Sequence, residues 1–162
     1  MGRRIAFFAL FAAVTLVILL SRFYYGVQHD HWLELDQAKT AASKEAGLVQ
    51  IDNVQSFNGD AAYTIVTGTD AQHEKLIVWL GPSGTHIEKA SAGISPDEAR
   101  NMLLKRAPDA EVLRVVPAKL HDDYVWELFY RRPEPSGAKR YYYDYVKFAD
   151  GAHIDTYRLS LQ

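Results

Sequence analysis

Six histidines and twenty carboxylates are this chain's material for chemistry, because its 162 residues include no cysteine. Thiolate catalysis, thiolate metal sites and disulfides are therefore excluded. His73-Glu74 opens like a His-Glu-x-x-His zinc motif, but position 77 is Ile77, so the second ligand is missing. His29 and His31 flank Asp30; they read either as a metal or pH-sensing group or as solvated side chains on a stalk. No Gly-x-Ser-x-Gly elbow presents a serine nucleophile, and no Gly-rich loop suits a phosphate. His86 and His153 each follow a glycine by two residues (Gly84, Gly151), which points to one shared structural role. Carbohydrate hydrolysis needs two carboxyls roughly 5 to 10 Å apart in a cleft. Asp122 and Asp123 sit in a turn, where acids serve turn geometry. Glu127 lies between Trp126 and Leu128, and Asp144 lies within a tyrosine run. The reading is of no catalytic residue, no metal and no cofactor.

The stronger signal is for recognition. In Arg140 to Phe148 (RYYYDYVKF) side chains alternate between sheet faces, so Tyr141, Tyr143, Tyr145 and Lys147 share one face. Tyr142, Asp144, Val146 and Phe148 share the other. One face must meet a helix. The other is either an exposed aromatic strip of interface-core composition or an outer face with its hydroxyls in water. Arg131, Arg132, Lys139 and Arg140 give this end a basic character, suited to an anionic polymer or to plain solvation.

The elements that would position these residues come in two cycles. Val27 to Ala46 predicts a helix with Trp32, Leu35, Ala38, Ala42 and Ala46 near one face, closed by Gly47. Strands follow at Ile51 to Phe57, Ala62 to Gly68, Lys75 to Leu80 and Thr85 to Lys89. Ser95-Pro96-Asp97-Glu98 then starts a second helix with a capping box. It is followed by strands at Glu111 to Leu120, Asp123 to Arg131, Arg140 to Phe148 and Ala152 to Leu159, with Pro117 marking an edge or bulge. KLIVWLGPSGTHIE (75–88) and YYDYVKFADGAHID (142–155) match as an apolar strand, a glycine turn, then small-His-Ile-acid. The fold class is α+β: two tandem units, each a helix on an antiparallel sheet, spanning 27–92 and 93–162. At about 60 residues apiece, each is marginal alone, so the two share a core.

Residues 1–26 are read as a membrane anchor. Ile5 to Leu20 (IAFFALFAAVTLVILL) carries no charge, Arg3 and Arg4 precede it, and Arg22, Phe23, Tyr24 and Tyr25 follow. At about 1.5 Å per helical residue, Arg4 and Arg22 lie roughly 27 Å apart, close to the ~30 Å hydrocarbon core. The basic pair places the N-terminus in the cytoplasm and the remainder outside, in a single pass. A cleaved signal peptide is the rival, but Ser21 to Gln28 (SRFYYGVQ) lacks a small-x-small cleavage site.

Charge limits the partners. Removing Arg3, Arg4 and Arg22 from 18 basic residues leaves 15 against 20 acids, a net of −5. That argues against nucleic acid and against a second electrostatic attachment to lipid. An exported chain without cysteine fits a Gram-positive exterior.

Glu45 to Val54 (EAGLVQIDNV), Phe57-Asn58-Gly59, Tyr63 to Asp70 (YTIVTGTD) and Val78-Trp79-Leu80 resemble the TseB (YpmB) family of Bacillus-type bacteria. So do Gly93 to Ala99 (GISPDEA), Trp126-Glu127-Leu128 and Tyr145 to Phe148. The resemblance covers nearly the whole chain. It implies two cystatin-like, PepSY-related units and no catalytic residues. It further implies a membrane-anchored regulator of cell-wall elongation that associates with a class B penicillin-binding protein. A PepSY-like inhibitor of an exported protease is the alternative. Nothing in the sequence sets an oligomeric state.

Overall fold

Gly47 takes φ 66°, a left-handed conformation that glycine adopts cheaply, and there the chain turns from helix into sheet. In the computed structural model the backbone is described for residues 2–134 and 137–160. Side chains are described for the same residues except 2–10, 12, 13, 23 and 25–34. The chain divides into two compact units, Met1–Gln37 and Ala38–Gln162.

Helix α1 spans Gly2–Ala46. Strands β1 (Leu48–Asn58), β2 (Ala62–Asp70), β3 (Lys75–Gly81) and β4 (Gly84–Lys89) form one antiparallel sheet in sequence order. A 3₁₀ turn at Ala90–Ala92 leads to α2 (Pro96–Arg106). Strands β5 (Glu111–Leu120), β6 (Asp123–Pro133), β7 (Lys139–Lys147) and β8 (His153–Arg158) form a second sheet, again in sequence order. The α+β class and the repeated order of elements agree with the sequence reading. The strands run longer than expected at several ends. β1 begins at Leu48 because pairing with β2 continues across two register shifts.

The expected start of α2 is present in full. Ser95 Oγ accepts from the Glu98 N–H at 3.2 Å, and Glu98 Oε2 accepts from the Ser95 N–H at 2.7 Å. Asp97 and Glu98 in the first turn and Lys105 and Arg106 in the last complement the helix dipole.

Two faces of the first sheet are buried. On one, Val66, Leu76 and Val78 pack with Ala38 and Ala42 from the end of α1, whose small side chains let the helix lie close. On the other, Ile65, Ile77 and Trp79 join Ala99, Leu103 and Ala107 of α2 and Trp126, Leu128, Tyr130, Val146 and Phe148 of the second half. The two helix-and-sheet units thus share one core, as their size requires. Polar ties cross the same boundary: Gln55 Nε2 donates to the Pro117 carbonyl at 2.8 Å, and Asp60 Oδ2 accepts from the His121 N–H at 2.8 Å. Pro117 sits on edge strand β5, where its missing N–H disturbs no ladder.

In the first unit, the described side chains of Phe11, Val14 and Leu16 to Leu20 are all exposed. Among the described residues no helix is long and apolar enough to cross a membrane. The side chains of much of the expected span are outside the described set, those of Ile5 to Leu10, Ala12 and Ala13, as are those of Arg3, Arg4 and Tyr25. Leu20, Arg22 and Tyr24 are described and exposed.

Candidate functional site: the outer face of the second sheet

Strand alternation decides which side chains of the second sheet meet the core. Trp126, Leu128 and Tyr130 of β6, with Tyr142 and Val146 of β7, point toward α2. The opposite set faces away: Val125 pairs with Lys147, Glu127 with Tyr145, Phe129 with Tyr143, and Arg131 with Tyr141. Tyr143 in turn pairs with Tyr157 of β8. Tyr141, Tyr143, Tyr145 and Lys147 therefore do lie on one face, the one turned from the helix.

That face is an aromatic ladder. The Phe129 ring lies 5.6 Å from Tyr141 and 4.9 Å from Tyr143, with planes inclined by 14° and 29°. Tyr145 meets Tyr157 edge-on at 5.8 Å. Tyr141, Tyr143 and Phe129 are half-buried, and Tyr157 is exposed. Tyr145, in contrast, is only 8% exposed, packed with Ala118, Leu120 and Val125.

The charges of this face are paired. Glu127, 5% exposed, accepts from Arg114 Nη2 at 2.8 Å and from the Tyr145 hydroxyl at 3.0 Å. Burial, and then the Glu127 charge, push the Tyr145 hydroxyl's pKa well above its ordinary value. The Arg114 guanidinium also lies 6.0 Å from the centre of the Phe129 ring. Arg131 grips Glu111 with two bonds of 2.7 Å, and Lys139 reaches it at 3.3 Å, which lowers Glu111 to about 2. Lys147 pairs with Asp123 at 2.9 Å, raising its pKa.

Glu127 and Asp144, the two strand carboxylates considered for hydrolysis, lie on opposite faces of the second sheet. Glu127 is on the outer face. Asp144, paired across the strands with Leu128, is on the core side at 1% exposure, held by Arg106, His153 and Thr156. Asp122 and Asp123 lie at the β5–β6 turn. His73 takes φ 64° in the β2–β3 turn, and Glu74 pairs with Lys89 at 3.1 Å. His86 and His153 occupy matching strands but do different things: His86 stacks on Tyr124 at 3.8 Å, whereas His153 bonds Asp144 at 3.1 Å. The side chains of His29, Asp30 and His31 lie outside the described residues. Sequence reasoning missed Phe129 and Arg114 as parts of the ladder. The period-two pattern of Asp123 to Arg131, laid beside the tyrosine strand, was the signal for Phe129.

Architecture and core together define a tandem of two α+β modules. Residues 37–81 match the model of the cell wall elongation regulator TseB-like domain, and residues 93–156 match the peptidase propeptide and YPEB (PepSY) domain. The chain is thus similar to the TseB/YpmB family in both halves. It is 29% identical over 120 residues to the probable cell wall elongation regulator TseB of Bacillus subtilis (strain 168), covering 72% of this chain and 71% of that protein. It is similar to the solved YpmB protein from Bacillus subtilis, with a TM-score of 0.66 and 26% identity over 76% of this chain and 96% of that one.

Proposed function

We propose that this protein is a membrane-anchored, extracytoplasmic regulator of cell-wall elongation that acts by binding rather than by catalysis, with a class B penicillin-binding protein as partner. The observation that carries the reading is the outer face of the second sheet. Tyrosines, a phenylalanine and paired arginines are the composition that dominates binding hot spots. The carboxylates nearby serve as counter-ions to arginines, not as an acid–base pair. The relative named for cell-wall elongation supports the process, and the exposed apolar run Leu16 to Leu20 supports an anchor in lipid. Confinement to the same membrane as the partner raises effective concentration, so modest affinity suffices. Photo-crosslinkers placed at Tyr141, Tyr143 and Tyr157 in cells test the reading. Capture of the transpeptidase, with altered cell shape on deletion, is expected; no capture and unchanged shape would overturn it.

A second reading has its own support, the peptidase-propeptide description of the model matched by residues 93–156. On that reading the protein inhibits an exported protease. Slowing of a secreted peptidase by the purified chain is the expected result, and indifference sinks it.

A further inference from the structure

We propose that the open edge of β4 takes up an extended, basic segment of a protein partner as an added strand. Each sheet has two edges, and unprotected edges template pairing with other chains, so proteins commonly blunt them. Three of the four edges here are blunted. β1 carries two register shifts, and Gln50 and Asp52 bond to each other along it at 2.8 Å. β5 carries Pro117 and a shift between Val112 and Arg114. β8 is shifted at Tyr145/Val146, and the Asp155 carboxylate already accepts the Thr156 N–H at 2.7 Å. β4 differs. It pairs with β3 in unbroken register from Gly81↔Gly84 to Leu76↔Lys89 and contains no proline. Among the described residues no further backbone group bonds to it.

The surroundings of β4 specify the occupant. One face of the strand borders a cleft of about 150 Å³ whose lining includes Glu88, Asp122, Asp123, Tyr124 and Lys147. Three carboxylates there oppose one lysine, and that lysine is tied to Asp123. Asp122 is exposed and has no ion pair among the described residues. His86 stacks flat on Tyr124 and bonds Glu88 at 3.0 Å, fixing the cleft-side surface of the strand. On the opposite face Ile87 is 38% exposed, an apolar contact for the alternate residues of an incoming strand. An added strand gains affinity from main-chain bonds and specificity from every second side chain. The fitting segment therefore alternates Lys or Arg, toward the cleft, with β-branched residues, toward Ile87. This inference deepens the reading that the protein works by binding, but it does not depend on which protein is bound.

The test uses the full chain in detergent micelles and three eight-residue peptides: alternating Lys and Val, alternating Glu and Val, and the Lys/Val peptide N-methylated throughout. Binding is read by fluorescence anisotropy, and its location by amide hydrogen exchange. The Lys/Val peptide is expected to bind and to slow exchange within Gly84–Lys89, while the other two fail. Asp122→Asn with Glu88→Gln should weaken it about fivefold at low salt and less at high salt. Asp122→Asn alone, at an exposed turn, should weaken it in the same direction with the fold undisturbed. No saturable binding, protection confined to other strands, or equal binding of the N-methylated peptide would each overturn the proposal. A failed crosslink to the transpeptidase, with the peptide result intact, would sink only the identity of the partner.

Discussion

The indole N–H of Trp79, on β3, donates to the backbone carbonyl of Ala118, on β5, at 3.1 Å. Trp79 is 0% exposed, and its ring lies 4.8 Å from Tyr124 and 6.0 Å from Phe148. One side chain from the first sheet thus fills the core of the second half and satisfies a buried carbonyl there.

Replacing it should therefore weaken both halves together. Trp79→Ala is expected to cost about 3–5 kcal/mol through lost burial and the cavity left behind. Trp79→Phe should cost less, about 1–3 kcal/mol, through the lost indole N–H bond to the Ala118 carbonyl and the smaller ring's reduced burial. Urea unfolding followed by circular dichroism should show one cooperative transition in each variant. Two separated transitions would contradict the shared core.

The elements were legible in the sequence because their signals are local. Ser95, Pro96 and Glu98 specify a helix start by short-range bonds, and the alternation of Arg140 to Phe148 specifies which tyrosines share a face. What was not legible depends on contacts distant in sequence. Nothing near Tyr145 announces that Ala118, Leu120 and Phe57 cover it, so its burial on an otherwise half-open face had no local sign. Likewise Asp144 and Glu127 looked like candidate acids. Their neutralisation requires Arg106, 38 positions away, and Arg114, 13 positions away, which only the fold brings near.

Tyr145 should be the most strongly shifted of the late tyrosines among the described residues, ahead of Tyr124, Tyr130 and Tyr157. Its ordinary value is 10.0, and burial beside the Glu127 charge raises it. The folded state therefore holds this proton where the unfolded chain releases it. The resulting stability is complete below about pH 10 and is lost as pH rises through the folded value. Ultraviolet titration of tyrosinate should show a late-rising fraction that shrinks by one tyrosine in Tyr145→Phe, while Tyr124, Tyr130 and Tyr157, which are also raised, continue to titrate late. At neutral pH the same variant leaves Glu127 buried with Arg114 alone, costing about 1–3 kcal/mol.

Acid stability should carry the mark of Glu111. The side chains of Arg131 and Lys139 lower its pKa from 4.5 to about 2. A depressed carboxylate stabilises the fold fully above the unfolded value and loses that contribution as pH falls from 4.5 toward about 2. Asp60 and Glu98 are shifted in the same direction, by bonds from His121 and Ser95. Glu111→Gln should flatten the fall of the thermal midpoint across that window. Because the group is at the surface, 1 M salt should shrink the difference between variant and parent. An identical pH profile for the two proteins would show that the Arg131 pairing contributes nothing.

The joint between the halves should tolerate no side chain at Gly93. A Cβ built there runs into the Phe148 carbonyl oxygen, and the Phe148 ring lies 2.8 Å from it. The backbone cannot retreat easily, since the Ile94 N–H donates to that same carbonyl at 2.8 Å and the Ile94 carbonyl accepts the Trp126 indole N–H at 2.9 Å. Gly93→Ala is therefore expected to destabilise by about 1–3 kcal/mol through overpacking, despite alanine's smaller entropic cost in the unfolded chain. Gly59→Ala makes a useful comparison, because there the nearest atom is the edge of the Phe57 ring at 2.7 Å, which a side-chain rotation can relieve, and the nearest backbone atom, the Lys119 carbonyl oxygen, stands farther off at 3.0 Å. Denaturant midpoints should fall further for Gly93→Ala than for Gly59→Ala. The reverse order would mean that the Gly93–Phe148 approach is looser than the bonds around it imply.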